Sequence, residues 1–197
     1  MFLKTISVVF WCLIALLLLQ SDLVSAEEQF PFVAETVSDL VNVRASQSPD
    51  FESLYQARIG TKFVVVGKLY SWYKVELPMD AVVYVAAKYV QLCSDNTEGV
   101  ITGDKVNVRA KQDVDGTAVG RVLKGDKISV LKVALDWLSI RPPSGSFGWV
   151  KIDSLKFISQ DVEGYKKTLS PVLKIAPEEL KSPLFCPLPE KPEPTVK

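Results

Sequence analysis

Val106-Asn107-Val108-Arg109-Ala110 repeats, residue for residue, the earlier stretch Val41-Asn42-Val43-Arg44-Ala45. The two copies lie 65 positions apart. The offset holds without a gap through Gly60 and Gly125, Lys62 and Lys127, Trp72 and Trp137, Pro78 and Pro143, and Val85 and Val150. A fixed internal period marks a repeated structural unit, and it is the feature to settle before any other. Inside each pentapeptide the valines alternate with Asn and Arg, the two-residue period of a half-buried strand. The chain therefore reads as two copies of one small β module.

Working outward, residues 37–92 form the first expected module and residues 99–158 the second, joined by a polar linker at Cys93–Glu98. Each contains short β-branched or alternating runs, such as Phe63-Val64-Val65-Val66 and Trp137-Leu138-Ser139-Ile140. Turn residues such as Pro78-Met79-Asp80 and Lys124-Gly125-Asp126-Lys127 separate these runs. Several short strands at this spacing, with no sustained helical period, predict an all-β fold of two small barrels in tandem. Residues 159–197 differ in composition, with seven prolines from Pro171 to Pro194. Proline fixes φ and removes a donor, so this tail is expected to be extended or partly disordered. A short helix is expected over Asp161–Leu169, weakened by Gly164.

Residues 1–26 have the order of a secretory signal: Lys4, an apolar run from Ile6 to Leu19, then small residues before Ala26 and Glu27, where cleavage is expected. The run is shorter than the roughly 20 residues a spanning helix wants. No stable membrane span is expected after cleavage; the alternative is a retained anchor. The expected location is therefore exported, periplasmic or extracellular in the cell envelope. The whole chain carries 23 Lys and Arg against 23 Asp and Glu. A neutral chain lacks the basic cluster that nucleic-acid phosphates require, so no nucleic acid is expected as a partner. Cys93 and Cys186 are an even pair in a compartment that permits disulfides. A bridge between them would pin the tail to the linker; the alternative is that both are structural or incidental.

The sequence has no His. That removes Cys-His and Ser-His-Asp hydrolysis and the commonest metal ligand. The carboxylates are scattered, with no pair placed across a cleft, and there is no Gly-rich phosphate loop. The expectation is a protein that is not an enzyme, with no cofactor, no metal and no catalytic residue.

The repeated pattern resembles the bacterial SH3-like domain. The second copy carries it at Val106-Asn107-Val108-Arg109, Gly125-Asp126-Lys127, Trp137-Leu138-Ser139-Ile140 and Gly148-Trp149-Val150. The first carries it at Val41-Asn42-Val43-Arg44, Gly60-Thr61-Lys62 and Trp72-Tyr73-Lys74-Val75, but has Val83-Tyr84-Val85 at the last strand. The resemblance implies two SH3-like barrels and a binding role, with peptidoglycan or its peptides as the partner in exported members. The alternative is an envelope scaffold whose barrels bind peptide segments or the chain's own Pro-rich tail, where Pro189-Glu190-Lys191-Pro192 has the spacing that docks in aromatic grooves.

Alternation places Tyr73 and Val75 on the core face and Trp72 with Lys74 opposite; Trp137, Tyr84 and Trp149 likewise turn away from the core. These four aromatics either line a groove or pack under a loop. Arg44 and Arg109 also face outward. Each either holds the following polar loop, with Asp113 or Asp115 as expected partner of Arg109, or captures a ligand carboxylate. Trp72, Tyr84, Trp137, Trp149, Arg44 and Arg109 are thus the candidate ligand-binding residues.

Overall fold

A computed structural model describes residues 28–169. The expected cleavage site at Ala26 and Glu27, Cys186, and the tail beyond Leu169 lie outside the described residues. The strands are β1 (Phe32–Thr36), β2 (Val41–Arg44), β3 (Ser53–Ala57), β4 (Lys62–Leu69), β5 (Trp72–Glu76), β6 (Val83–Ala86) and β7 (Val90–Leu92) in the first repeat. The second has β8 (Glu98–Ile101), β9 (Val106–Arg109), β10 (Ala118–Val122), β11 (Lys127–Val133), β12 (Trp137–Ile140), β13 (Phe147–Lys151) and β14 (Leu155–Ser159). A 3-10 turn joins β6 to β7 and another joins β13 to β14, and helix α1 (Val162–Leu169) follows.

The strands build two antiparallel sheets, ordered β14-β1-β4-β5-β13-β2-β3 and β10-β9-β6-β12-β11-β8-β7. In the first sheet every strand supplies side chains to one cluster: Phe32 and Ala34, Val43, Ala57, Phe63 and Val65, Tyr73 and Val75, Val150 and Leu155. Strands at both edges reach the same cluster, so the sheet is curled into a barrel around it. The second sheet does the same around Val85, Ile101, Val108, Val122, Ile128, Leu138 and Ile140, with Leu92 packed against them. The all-β expectation holds.

The repeats and the barrels do not coincide. β6 and β7 belong by sequence to the first repeat but pair with β12, β9 and β8. β13 and β14 belong to the second repeat but pair with β5, β2 and β1. Segments 37–92 and 99–158, expected as separate barrels, instead exchange their last two strands. We call the barrel holding β1–β5 barrel 1 and that holding β8–β12 barrel 2. Both copies bring equivalent inward positions, Val83 and Val85 or Gly148 and Val150, but the slots are not identical. A Cβ at Gly148 would collide with Val43 Cγ1 and lie 2.9 Å from Leu77 Cδ2, so the barrel 1 slot takes glycine where barrel 2 takes Val83. The connections carry the crossing. Residues 77–82 and 141–146 each make one turn, closed by Ala81 N–H to Pro78 O at 3.0 Å and Ser146 N–H to Pro143 O at 3.1 Å, and deliver the next strand to the neighbour. They touch where they cross: Leu77 N–H donates to Ser146 O at 3.0 Å, and Arg141 to Met79 O at 3.3 Å. Leu77 packs against both cores.

β1, β3 and β8 are absent from the sequence reading. β1 shows no alternation because both its faces are covered: Phe32 and Ala34 face the barrel core, while Val33 packs with Val64 and Val162 of α1 on the outside. The residues of the second repeat equivalent to Val33, Val64 and Val66 are Glu98, Ser129 and Leu131. Only barrel 1 therefore offers α1 an apolar outer face. Asp161 caps the helix, accepting from Gly164 N–H at 2.8 Å. Gly164, read as a weakness, leaves room for that cap: a Cβ there would meet the Asp161 carboxylate and push it aside.

Candidate functional site

The exchange brings the candidate residues together across repeats. Trp149 of β13 stands in register between Arg44 on β2 and Lys74 on β5. Tyr84 of β6 stands in register between Arg109 on β9 and Ser139 on β12. Trp72 faces Lys151 and Trp137 faces Ala86, so each of these tryptophans meets the other repeat's strand. Neighbours on one face of a sheet interact directly, so neither repeat alone gives either aromatic its neighbours.

Both arginines hold loops. Arg44 Nη1 donates to Phe51 O at 2.8 Å and Arg109 Nη1 donates to Gly116 O at 2.6 Å. The expected Asp113 or Asp115 partner of Arg109 is thus replaced by a carbonyl. Asp113 instead accepts from Asp115 N–H at 2.9 Å, a turn within the loop. Loop closure through a backbone acceptor fixes the wall of the neighbouring groove whatever the residue at the loop tip.

The two barrels differ in that groove. In barrel 1, Trp72 is only 6% exposed. It lines a groove of about 300 Å³ together with Pro49, Leu40 and Lys151, and the Lys151 ammonium is 5.9 Å from its ring. Trp72 is thus largely buried yet still contributes to the groove lining. In barrel 2, Trp137 is half-buried and floors a groove of about 430 Å³. Its walls are Val114 at the tip of the Arg109-held loop, Leu135 and Asp136 in the β11–β12 turn, and Ala86 and Lys88 from the first repeat. Leu135 is 96% exposed and Val114 70%. Ala86 and Lys88 were not legible as site residues because the exchange delivers them, and Val114 and Leu135 because they come from separate loops of the second repeat.

A larger depression of about 730 Å³ lies between the N-terminal segment and α1, over Phe30, Val64 and Val66. Three of its carboxylates are already engaged. Glu28 accepts from Tyr73 Oη and from Lys68 at 3.0 Å, Glu76 pairs with Lys166 at 2.9 Å, and Asp161 caps α1. The Tyr73 hydrogen bond, and then Lys68, hold the Glu28 carboxyl below its ordinary value. Burial first, and then Glu28, push the Tyr73 phenol up to about 12. This cluster anchors the chain's entry into β1 and leaves little for a ligand.

Cys93 is buried beside the linker, and its expected partner lies outside the described residues. Among the described residues no group of His, Cys, Asp and Glu has the arrangement of a metal site, and no helix is long and apolar enough to cross a membrane. No curated protein matches the chain. No solved structure matches it either. Residues 104–156, which run from the β9 strand of the opening pentapeptide through Trp137 to β14, match the bacterial SH3 domain family, so the fold is all-β and SH3-like, and the Trp137 side of the barrel 2 groove lies within the matched segment.

Proposed function

We propose that this chain is an exported, non-catalytic binding protein that recognises peptidoglycan, through its peptide portion, in the groove of barrel 2. The observation that carries the reading is the open shelf made by Trp137, Leu135 and Val114. Exposed aromatic and aliphatic side chains at a groove mark an interaction site rather than a core. The lining is apolar with one acid, Asp136, and one base, Lys88, which suits a peptide carrying short apolar side chains better than the hydroxyls of a glycan. The family match at residues 104–156 supports a binding role. The signal-like N-terminus supports export.

The same apolar lining favours one second reading, an envelope scaffold whose groove takes a peptide segment of another protein. Retention on purified, protein-free peptidoglycan separates the two. The wall reading expects the chain to co-sediment and Trp137→Ala to lose retention at least about tenfold, the scale of one lost aromatic anchor. Absence of co-sedimentation, or unchanged retention of Trp137→Ala, overturns it.

A further inference from the structure

We infer that barrel 1 carries a second binding site of different chemistry, around Leu40 and Lys151, which takes a peptide ending in a free carboxylate with apolar side chains. It goes beyond the Trp137 reading and stands on separate observations.

The first is an exposed apolar ledge. Val37, Leu40 and Ile59 are 44%, 64% and 61% exposed. Their two loops are tied together: Asp39 Oδ1 accepts from Ile59 N–H at 2.9 Å, and Thr36 O accepts from Gly60 N–H at 3.0 Å. The equivalent residues of barrel 2 are Thr102, Lys105 and Lys124, all polar. The backbone does not explain the difference. Leu40 and Lys105 share the left-handed conformation, at φ 58° and 51°. A leucine there costs more than the Asn or Gly that the conformation favours, and it leaves 64% of its surface exposed. An exposed leucine in a strained position is explained by what it would touch.

The second is a pair of cations beside the ledge, Lys151 and Arg44, with Asp39 the one acid in the same lining. Leu40 also lines the groove over Trp72, together with Arg44 and Lys151. Arg44 spends one nitrogen on Phe51 O, and the Asp39 carboxylate is turned to Ile59 N–H. Neither Lys151 nor Arg44 has an ion-pair partner among the described residues. Ser38, Asn42 and Ser154 complete the polar lining. An ammonium over an indole, a guanidinium in the same lining and a hydrophobic ledge alongside complement a terminal carboxylate followed by apolar side chains. The exchange places Lys151 here; the equivalent position in the barrel 2 groove is Ala86. The barrel 2 groove instead draws its one cation, Lys88, from the 3-10 turn after β6, with the Asp136 carboxylate in the same lining.

The test uses acetyl-Ala-Leu-Leu as the free acid and as its carboxamide, titrated into the isotope-labelled chain, with the Trp72 and Trp137 indole signals read separately. The free acid is expected to give saturable shifts at Trp72, Leu40 and Lys151, about tenfold tighter than the amide, the scale of one charge-assisted contact. Lys151→Gln is expected to reduce the acid-amide difference several-fold, with Arg44 left as the remaining cation. Leu40→Asn is expected to weaken both peptides while leaving the thermal midpoint unchanged or raised, because Asn accepts the left-handed conformation. Equal affinity for acid and amide overturns the proposal, as do shifts confined to Trp137, which leave the barrel 2 reading standing. Shifts at Trp72 that meet these expectations uphold it even where peptidoglycan retention fails.

Discussion

Thr117 donates its hydroxyl to Glu52 Oε2 at 2.9 Å, and the two residues occupy the same position in the two repeats, 65 apart. A residue that meets its own equivalent lies at an approximate two-fold axis between the units. Around this pair, Ala45 and Leu54 of barrel 1 share one buried cluster with their equivalents Ala110 and Val119. The repeats thus associate as a symmetric dimer does, with the last two strands exchanged across the axis. Burial opposes the charge on Glu52, but its hydrogen bonds, those from Thr117 among them, and the Lys111 ammonium at 3.8 Å outweigh it, and its carboxyl sits below the ordinary value.

Glu52→Ala is therefore expected to lower unfolding free energy by about 1 kcal/mol, the net worth of a hydrogen bond to a partly exposed charge. Thr117→Val removes the same contact. Chemical denaturation of both single variants and the double gives a coupling energy, expected to be positive. Additive effects would mean that the contact at the axis is energetically silent.

Ser146 Oγ is buried with no hydrogen-bond partner among the described residues, and its equivalent in the first repeat is Ala81, equally buried. An unsatisfied buried hydroxyl costs about 1–3 kcal/mol. Ser146→Ala is expected to raise stability by about 1 kcal/mol, read as a higher denaturant midpoint at unchanged slope. A lower midpoint would show that the hydroxyl is satisfied in solution.

The entry to β1 is pH-sensitive at both ends of the scale. Glu28 titrates below its ordinary value when folded, so its contribution is present above the unfolded pKa of 4.5 and is lost as pH falls through the folded value. Tyr73 titrates above its ordinary value of 10.0, at about 12, so its contribution is full below pH 10.0 and fades as pH climbs toward 12. Tyr73→Phe is expected to flatten the alkaline fall and to weaken the acid one, since Glu28 then loses its main partner. Thermal midpoints across the pH range measure both limbs.

The exchange makes each half of the chain incomplete. Residues 28–92 lack the strands that close barrel 1, and residues 93–169 lack those that close barrel 2. Each half expressed alone is expected to be unfolded or self-associated, and an equimolar mixture to recover the sheet signal and a single cooperative transition. Two independently folded monomeric halves would contradict the topology.

The valine pairs of the pentapeptide were readable as core, and Val43 and Val108 are fully buried. Their register follows from two-residue alternation, a local property. Leu138 and Ile140 fall on the core face for the same reason, with Trp137 opposite. Local pattern failed at β1, whose two faces are covered by different partners, and at Gly164, whose role appears only once Asp161 caps the helix. Trp72 and Trp137 looked equivalent; the residues at 49 and 114, and at 151 and 86, make one a covered side chain and the other an open shelf.

The repeat, the all-β class and the inward and outward faces of the repeated strands were determined by the sequence itself, because periodicity and turn chemistry act over a few residues. Which copy's last strands close which barrel was decided only in the tertiary structure. The inward residues differ at one position, Val83 against Gly148, and the choice also rests on how residues 77–82 and 141–146 cross and on how the two units meet at Glu52 and Thr117. The candidate sites inherit that decision, since Lys151 reaches Trp72, and Ala86 reaches Trp137, only across the exchange.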